Sequence, residues 1–494
     1  MKKRFAISAG HETTLSVAKE VLLQGGNAFD AAIAAYTAMF VAEPCMASAG
    51  AGGIAMCYAH GEKPVMLDFF TQTPASKELE GDPEYVPIEV DFGNTTETFY
   101  HGMGSIAVPG AMAGIAKLHE RYGTIPLREL FEPACQLARA GVPVNEFQAI
   151  DIGLLQSIIK CAPELREEFF TDGSVVQQGD LLHLPKMADF LHHMGQEGVE
   201  AFYHGEIGKR IAQDCRESGG FVTRSDMENY DALWVDPVEI RAYDHRIMLP
   251  NGPSVGGAVM ALLISELQNN GYRWIDAITK VRKIGGTPER IIEAVSGTLP
   301  HLPFNFGATN GTFMGTSHFN IVDRSGNAIA LSTTIGEGSG YSIPGTQMHM
   351  NNMLGEPYLL PAGPHSWESD VRLNSMMTPL VAFSGRNLRY AGGSGGAGRI
   401  PYMITQVIDY LFNAGVDLRE ATDLGRMHIH NGELHLEDNL KRTLSAHDIP
   451  EKHWDYRSLF FGGVHSIHVN DQTGMTEAAG DPRRSGVSYV EGEA

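Results

Sequence analysis

A hydroxyl side chain is a useful nucleophile only when a base stands beside it, and one such base needs no partner residue. If the peptide bond in front of a Thr, Ser or Cys is cut, the freed α-amino group can take that residue's own proton. Such a site calls for the nucleophile at the start of a strand, a small residue before it, and backbone N–H groups to receive the developing oxyanion. The stretch MGTSHFNIVDRSGNAIALSTT, residues 314–334, meets the first two conditions with Gly315-Thr316. AGGSGG at 391–396 is a candidate for the third. On these residues alone Thr316 still reads as an ordinary strand-opening threonine, because threonine is common in strands.

Other motifs with chemical meaning are missing or weak. The chain has no G-x-x-x-x-G-K-[ST] phosphate loop and no H-E-x-x-H. His428, His430 and His435 alternate along what reads as a hairpin, which favours packing over a metal site. AGGSGG resembles a phosphate cradle only as any Gly-rich turn does.

The elements that must position Thr316 are legible in outline. LSVAKEVLLQGG places Leu15, Ala18, Val21 and Leu22 on one helical face and stops at Gly25-Gly26. NAFDAAIAAYTAMFVAEP opens a second helix with Asn27 as N-cap and Asp30 three residues on, and Pro44 ends it. SAGAGGIAMCYA is a small-residue turn running into a strand, and GSIAVPG (104–110) reads as a short apolar strand. Two helices follow: AMAGIAKLHERYG, closed by Gly123, and PLRELFEPACQLARAG, with an interruption expected near Pro133. Residues 145–300 alternate helical runs with turns, including a Pro/Gly loop that feeds the helix GGAVMALLISEL. From 316 strands dominate: SHFNIVD, NAIALSTT, LVAF, LRYAGG, a hairpin turning at Asn431-Gly432, and HSIHV as the terminal strand. The helix YMITQVIDYLFNAG interrupts them. Helices combined with mostly antiparallel strands predict a layered α/β sandwich.

Composition bounds the partners. A net charge of −22 with no basic stripe argues against a nucleic-acid partner and disfavours an anionic membrane surface. The 43% hydrophobic and 19% charged composition is globular, and the 56 glycines sit between apolar segments, as tight turns and close backbone approaches require. Cys45, Cys57, Cys135, Cys161 and Cys215 are odd in number and lack C-x-x-C spacing, which suits reduced thiols in a cytoplasmic protein. The start, MKKRFAISAGHETT, has no apolar h-region, so no signal peptide is expected, and no run reaches the ~20 apolar residues of a membrane span.

Several longer segments carry a resemblance. LLQGGNAFDAAIAA (22–35), SIAVPGAMAGIAKLHERYGTIPLRELFEPACQLARAG (105–141) and GVEAFYHGEIGKRIAQDCRESGGFVTRSDMENYDA (198–232) are followed by LPNGPSVGG, GTSHFNIVDRSGNAIALSTT, NSMMTPLVAF, GGSGGAGRI and FFGGVHSIHV…GDPRRSG. In this order, over nearly the whole chain, they resemble the γ-glutamyltransferase (γ-glutamyltranspeptidase) family of self-cutting N-terminal-nucleophile hydrolases.

The resemblance implies an α/β (α+β) fold, a four-layer αββα sandwich formed as one intertwined domain over residues 1–494. Self-cleavage at Gly315-Thr316 would leave a large fragment 1–315 and a small fragment 316–494. Thr316 matches the catalytic threonine, Thr334 a second threonine that supports it, and Gly395 and Gly396 the oxyanion loop. Ser375 matches one of two serines before a Met-x-Pro; the other is Met376 here. No cofactor or metal is implied. The partners implied are a small-molecule amide as acyl donor and water or an amine as acceptor, as in glutathione metabolism. The oligomeric state stays open, a homodimer included.

The departures bear on the substrate. Where the family reads Asp-x-Arg-Glu-x-x-Pro this chain reads DFFTQTP, so Phe70 stands in place of the arginine that pairs with the donor's α-carboxylate. A phenyl ring cannot replace that bidentate, charge-assisted contact. The family's asparagine after the second threonine falls near Gly336, and the usual Asn-Asn-Gln/Glu-x-x-Asp becomes Asn351-Asn352-Met353-Leu354-Gly355-Glu356. Asn352 and Glu356 remain as candidate substrate contacts, with Glu356 alone keeping a carboxyl to meet an ammonium. Arg372 and Arg399 are candidate replacement cations, each with a structural alternative. Three functions follow: an amidase or acyltransferase with altered head-group specificity, an ordinary glutathione hydrolase or γ-glutamyl transferase, or an uncut binding protein.

Overall fold

The structure is a computed structural model that describes residues 4–91, 96–252, 254–284, 315–357, 359–360, 362–441, 444, 446–470 and 475–493. The end of the 145–300 stretch lies outside the described residues. Two sheets and two helical layers organise the rest.

The first helical layer begins with α1 (Glu12–Leu23) and α2 (Ala28–Ala42). The capping box expected at Asn27 is formed: its side chain accepts from the N–H groups of Phe29 and Asp30, and Asp30 accepts from the N–H of Asn27. Further helices are α3 (Ala111–Tyr122), α4 (Leu127–Ala140) and α5 (Glu146–Ile159). Pro133 does not interrupt α4, which runs through it. The 104–110 segment is not a strand. It is a 3-10 turn at Met103–Ser105 followed by a single bridge between Val108 and Gln72.

The first sheet uses β1 (Ala6–Ala9), β2 (Gly52–Tyr58), β3 (Val65–Phe69) and β4 (Leu233–Val235). The second sheet opens with β5 (Val238–Ala242) and β6 (His245–Leu249). Helix α6 (Gly256–Asn269) follows them. After residue 315 come β7 (Thr316–Val322), β8 (Ala328–Thr334), β9 (Leu380–Ser384) and β10 (Asn387–Gly395). Helix α7 (Ile400–Ile408), β11 (Gly463–Val469), β12 (Thr476–Ala479) and β13 (Val487–Val490) complete the set.

The seven-stranded sheet runs β4-β3-β2-β8-β7-β1-β13 and the six-stranded sheet β5-β6-β9-β10-β11-β12. Segments before and after residue 315 therefore share both sheets. HSIHV is not the last strand: β12 and β13 follow, and β13 pairs with β1, from the other end of the chain.

Alternation along the strands assigns the faces. In β2, Ala55 and Cys57 join the core under α1 and α2, whereas Ile54, Met56 and Tyr58 join the core shared with the second sheet. β8 divides the same way, Ile329 and Leu331 against Ala328 and Ala330. Helices α6 and α7 cover the far side of the second sheet. The result is the expected four-layer αββα sandwich. Because β7 and β8 are buried along their whole length, their polar residues must find partners inside the protein. Tyr36 of α2 and Thr333 share a hydroxyl–hydroxyl bond on one face, and His318 bonds Ser332 and Asn320 on the other.

Candidate active site

The register of β7 on β8 sets Thr316 directly opposite Thr334, and Thr334 in turn faces Gly52 of β2. Strand alternation turns both threonines toward the second sheet. Both are buried, with Thr334 Oγ1 accepting from the N–H of Gly336 at 3.0 Å as β8 ends.

The neighbouring glycines allow backbone to lie against this pair. A Cβ on Gly52 would fall 2.6 Å from the Thr71 nitrogen, so only glycine lets the Phe70-Thr71 chain pass there. A Cβ on Gly395 would collide with the carbonyl oxygen of Thr316, which places the end of β10 against the nucleophile candidate. Gly396 has φ +120 and turns the chain into Ala397. Of the oxyanion-loop candidates, Gly395 thus abuts Thr316, Gly396 lies against Gly462, and the residue after them, Ala397, lines the cleft.

A cleft of about 330 Å³, open solvent at its mouth included, lies against the two threonines. It brings together Thr316, Thr334, Phe70, Glu356 and Ser375, five residues singled out in the sequence and drawn from four separate segments. Met353, Leu359, Met376, Met377, Ala397 and Ile400 complete it. Asn352 does not line it: its Oδ1 accepts from the N–H groups of Glu337 and Gly338 and its amide donates to the Tyr100 carbonyl. Gly336 cannot stand in for a longer residue, because a Cβ there would meet Asn352 Oδ1 and Glu356 Oε1.

Each wall is anchored by backbone contacts. The N–H of Phe70 donates to Asp68 at 2.9 Å, and its carbonyl accepts from the Tyr230 hydroxyl at 2.6 Å and from Arg372. Arg372 also donates to Tyr230 and to the Asp231 carbonyl, so it braces Phe70 from behind. Ser375 Oγ accepts from the N–H of Met377, and the Ser375 carbonyl accepts from the N–H of Val255 at the start of α6. A Cβ on Gly256 would collide with Thr378 and Met376, which accounts for the small residues of PSVGG. Arg399 lies over the Phe460 ring at 4.6 Å. Among the described lining residues none is Arg, Lys or His.

The helix-facing side of β7 carries features that sequence reasoning missed. Ser317, next to Thr316, donates to the Glu43 carboxyl just past α2, which also accepts from Thr14 at 3.0 Å. Burial pushes the Glu43 carboxyl up to about 7 despite those two donors. Arg484 donates from Nη1 to the Thr316 carbonyl at 3.3 Å. Burial lowers its guanidinium to about 10, opposed by the charge of Asp151, itself raised by burial to about 7. Asp481 would be raised by burial, but Arg426 and Arg483 hold it well below the usual carboxylate range. A Glu directly before the helix-ending Pro44, and the arginine pair of GDPRRSG, were the available signals. His428, His430 and His435 pack in an aromatic cluster with Tyr402 and Phe460.

Known proteins share this architecture and sequence. The family described as gamma-glutamyltranspeptidase matches residues 14–296 and 298–490. The glutathione hydrolase proenzyme of Bacillus subtilis (strain 168) is 23% identical over 98% of this chain and 90% of its own. The acylase ACY 1 proenzyme of Pseudomonas sp. (strain V22) is 26% identical over 96% and 92%. The crystal structure of cephalosporin acylase from Bacillus halodurans superposes with a TM-score of 0.80 over 99% of this chain and 96% of that one, at 20% identity, a likeness of fold. This protein is an enzyme of the gamma-glutamyltranspeptidase family.

Proposed function

We propose that this enzyme is a self-processing N-terminal-threonine amidase or acyltransferase whose nucleophile is Thr316 and whose head-group recognition departs from a γ-glutamyl clamp. The observation that carries the reading is the cleft in which Thr316 meets Thr334, Phe70, Glu356 and Ser375 without an Arg, Lys or His among the described lining residues. The proenzyme names of the Bacillus and Pseudomonas relatives support self-processing.

In the first stage Thr316 Oγ attacks the Gly315 carbonyl carbon. The peptide bond is exchanged for an ester between Gly315 and Oγ, and the nitrogen leaves as the Thr316 amine. Water then hydrolyses the ester and frees both termini. In the second stage that amine accepts the Oγ proton while Oγ attacks a substrate amide carbon. The leaving amine takes the proton, and an acyl ester remains on Thr316. Water or an amine resolves it. Backbone N–H groups around Gly395 and Gly396 receive the oxyanion, and Thr334, directly across the ladder, holds the strand ends in place.

A denaturing gel with N-terminal sequencing tests this. Incubated protein should give two bands, the smaller beginning at Thr316, and Thr316→Ala should remain one band near 53.7 kDa. Cutting of the Thr316→Ala chain, or a wild-type chain that stays single, overturns the assignment.

A further inference from the structure

The cleft states more about the acyl group than that an arginine is missing. Phe70, Met353, Leu359, Met376, Met377 and Ile400 give it apolar walls, and its one ionisable side chain among the described lining residues is the carboxyl of Glu356. The two candidate replacement cations are committed elsewhere. Arg372 is spent on the Phe70 carbonyl, the Tyr230 hydroxyl and the Asp231 carbonyl, with its Nε 3.7 Å from Asp68. Arg399 lies over Phe460 and does not line the cleft.

A carboxylate entering here would shed its hydration without gaining a cation among the described lining residues. Burial of an unpaired charge opposes binding far more strongly than apolar burial favours it. An apolar acyl chain instead gains from contact with the aromatic and thioether walls. Three methionines, flexible and polarisable, make those walls adaptable to different shapes.

We propose that the acyl donor is an amide of an apolar, carboxylate-free acyl group. The inference rests on Thr316 as nucleophile, and the fixed position of Phe70 is its specificity determinant. Among the described lining residues, Ser375, Glu356 and the two threonines are the polar side chains.

The test uses self-cut wild-type protein and a panel of p-nitroanilides: hexanoyl, phenylacetyl, glutaryl and γ-glutamyl. The expected result is at least tenfold higher kcat/KM for hexanoyl or phenylacetyl than for either carboxylated donor. Phe70→Arg should shift the ratio of glutaryl to hexanoyl turnover at least tenfold toward glutaryl. Leu359→Arg, at a partly exposed wall position, gives the same readout if the Phe70 variant does not fold. A carboxylated donor within tenfold of the apolar ones or above them, no turnover of apolar donors by self-cut protein, or an unmoved ratio in the folded variants overturns the proposal. Loss of self-cutting or Thr316-independent turnover instead overturns the nucleophile assignment, so the two failures are separate.

Discussion

Arg484 donates from Nη1 to the carbonyl oxygen of Thr316, so a buried guanidinium near the end of the chain grips the main chain of the first residue of β7. The same guanidinium faces Asp151, a fully buried carboxyl on α5. Arg484→Gln removes the cation and leaves both groups behind. Losing a charged donor to a buried carbonyl typically costs about 1.5–3 kcal/mol. The midpoint of urea unfolding should fall accordingly, and self-cutting should slow. Arg484→Lys should recover little, because an ammonium lacks the planar fork that reaches the carbonyl.

The Glu43–Ser317 contact predicts a pH dependence of stability. Folded Glu43 holds its proton up to about pH 7, whereas a free glutamate releases it near 4.5. Below about 4.5 both states are protonated and the contribution is complete. It is lost as pH rises from 4.5 to 7, because only the unfolded chain ionises there, and it then levels off. The loss is on the order of 3 kcal/mol at 1.36 kcal/mol per unit. Glu43→Gln should therefore gain stability relative to wild type between pH 5 and 8 in urea titrations. A difference that stays flat across that range would refute the buried, proton-holding state.

Thr334 and Gly336 form a second testable pair. Thr334→Val leaves the buried N–H of Gly336 without its hydroxyl acceptor, a loss of about 1–3 kcal/mol. Thr334→Ser should restore it, in both thermal unfolding and turnover. Gly336→Asn should not recreate a γ-glutamyl site: its φ of +75 and the packing of Asn352 against it leave no room for a Cβ. Its expected effect is loss of turnover without gain on γ-glutamyl-p-nitroanilide.

Gly395→Ala adds one methyl that collides with the Thr316 carbonyl. The strand end must shift, so activity should drop at least tenfold while circular dichroism keeps the mixed helix and sheet signature. Gly81→Ala, at an exposed bend where a Cβ meets nothing within 4 Å and φ is not positive, controls for losing a glycine without the collision.

Local signals in the sequence carried much of this fold. The Asn27–Asp30 capping box, the Asn431-Gly432 turn and the strand runs from 316 to 334 are decided by neighbours a few residues apart. GSIAVPG failed as a strand because its apolar residues are buried without a ladder to join beyond one bridge at Val108. The extra strands after HSIHV are short and half-buried, with little alternation to mark them.

For the site, the sequence by itself determined which groups are present: a threonine behind a glycine, a second threonine, a Gly-rich turn, and a phenyl ring where a carboxylate-binding arginine was expected. Tertiary structure alone decided which of them meet. β7 and β8 pair Thr316 with Thr334 in one register, yet Phe70, Glu356 and Ser375 arrive from segments far away along the chain. Asn352 was spent on a loop, and Arg372 on the back of Phe70. Glu43 and Arg484 came to stand behind Thr316 and Ser317 because buried strands must pair their polar groups across layers. Such pairing depends on side-chain positions in space, which spacing along the sequence does not encode.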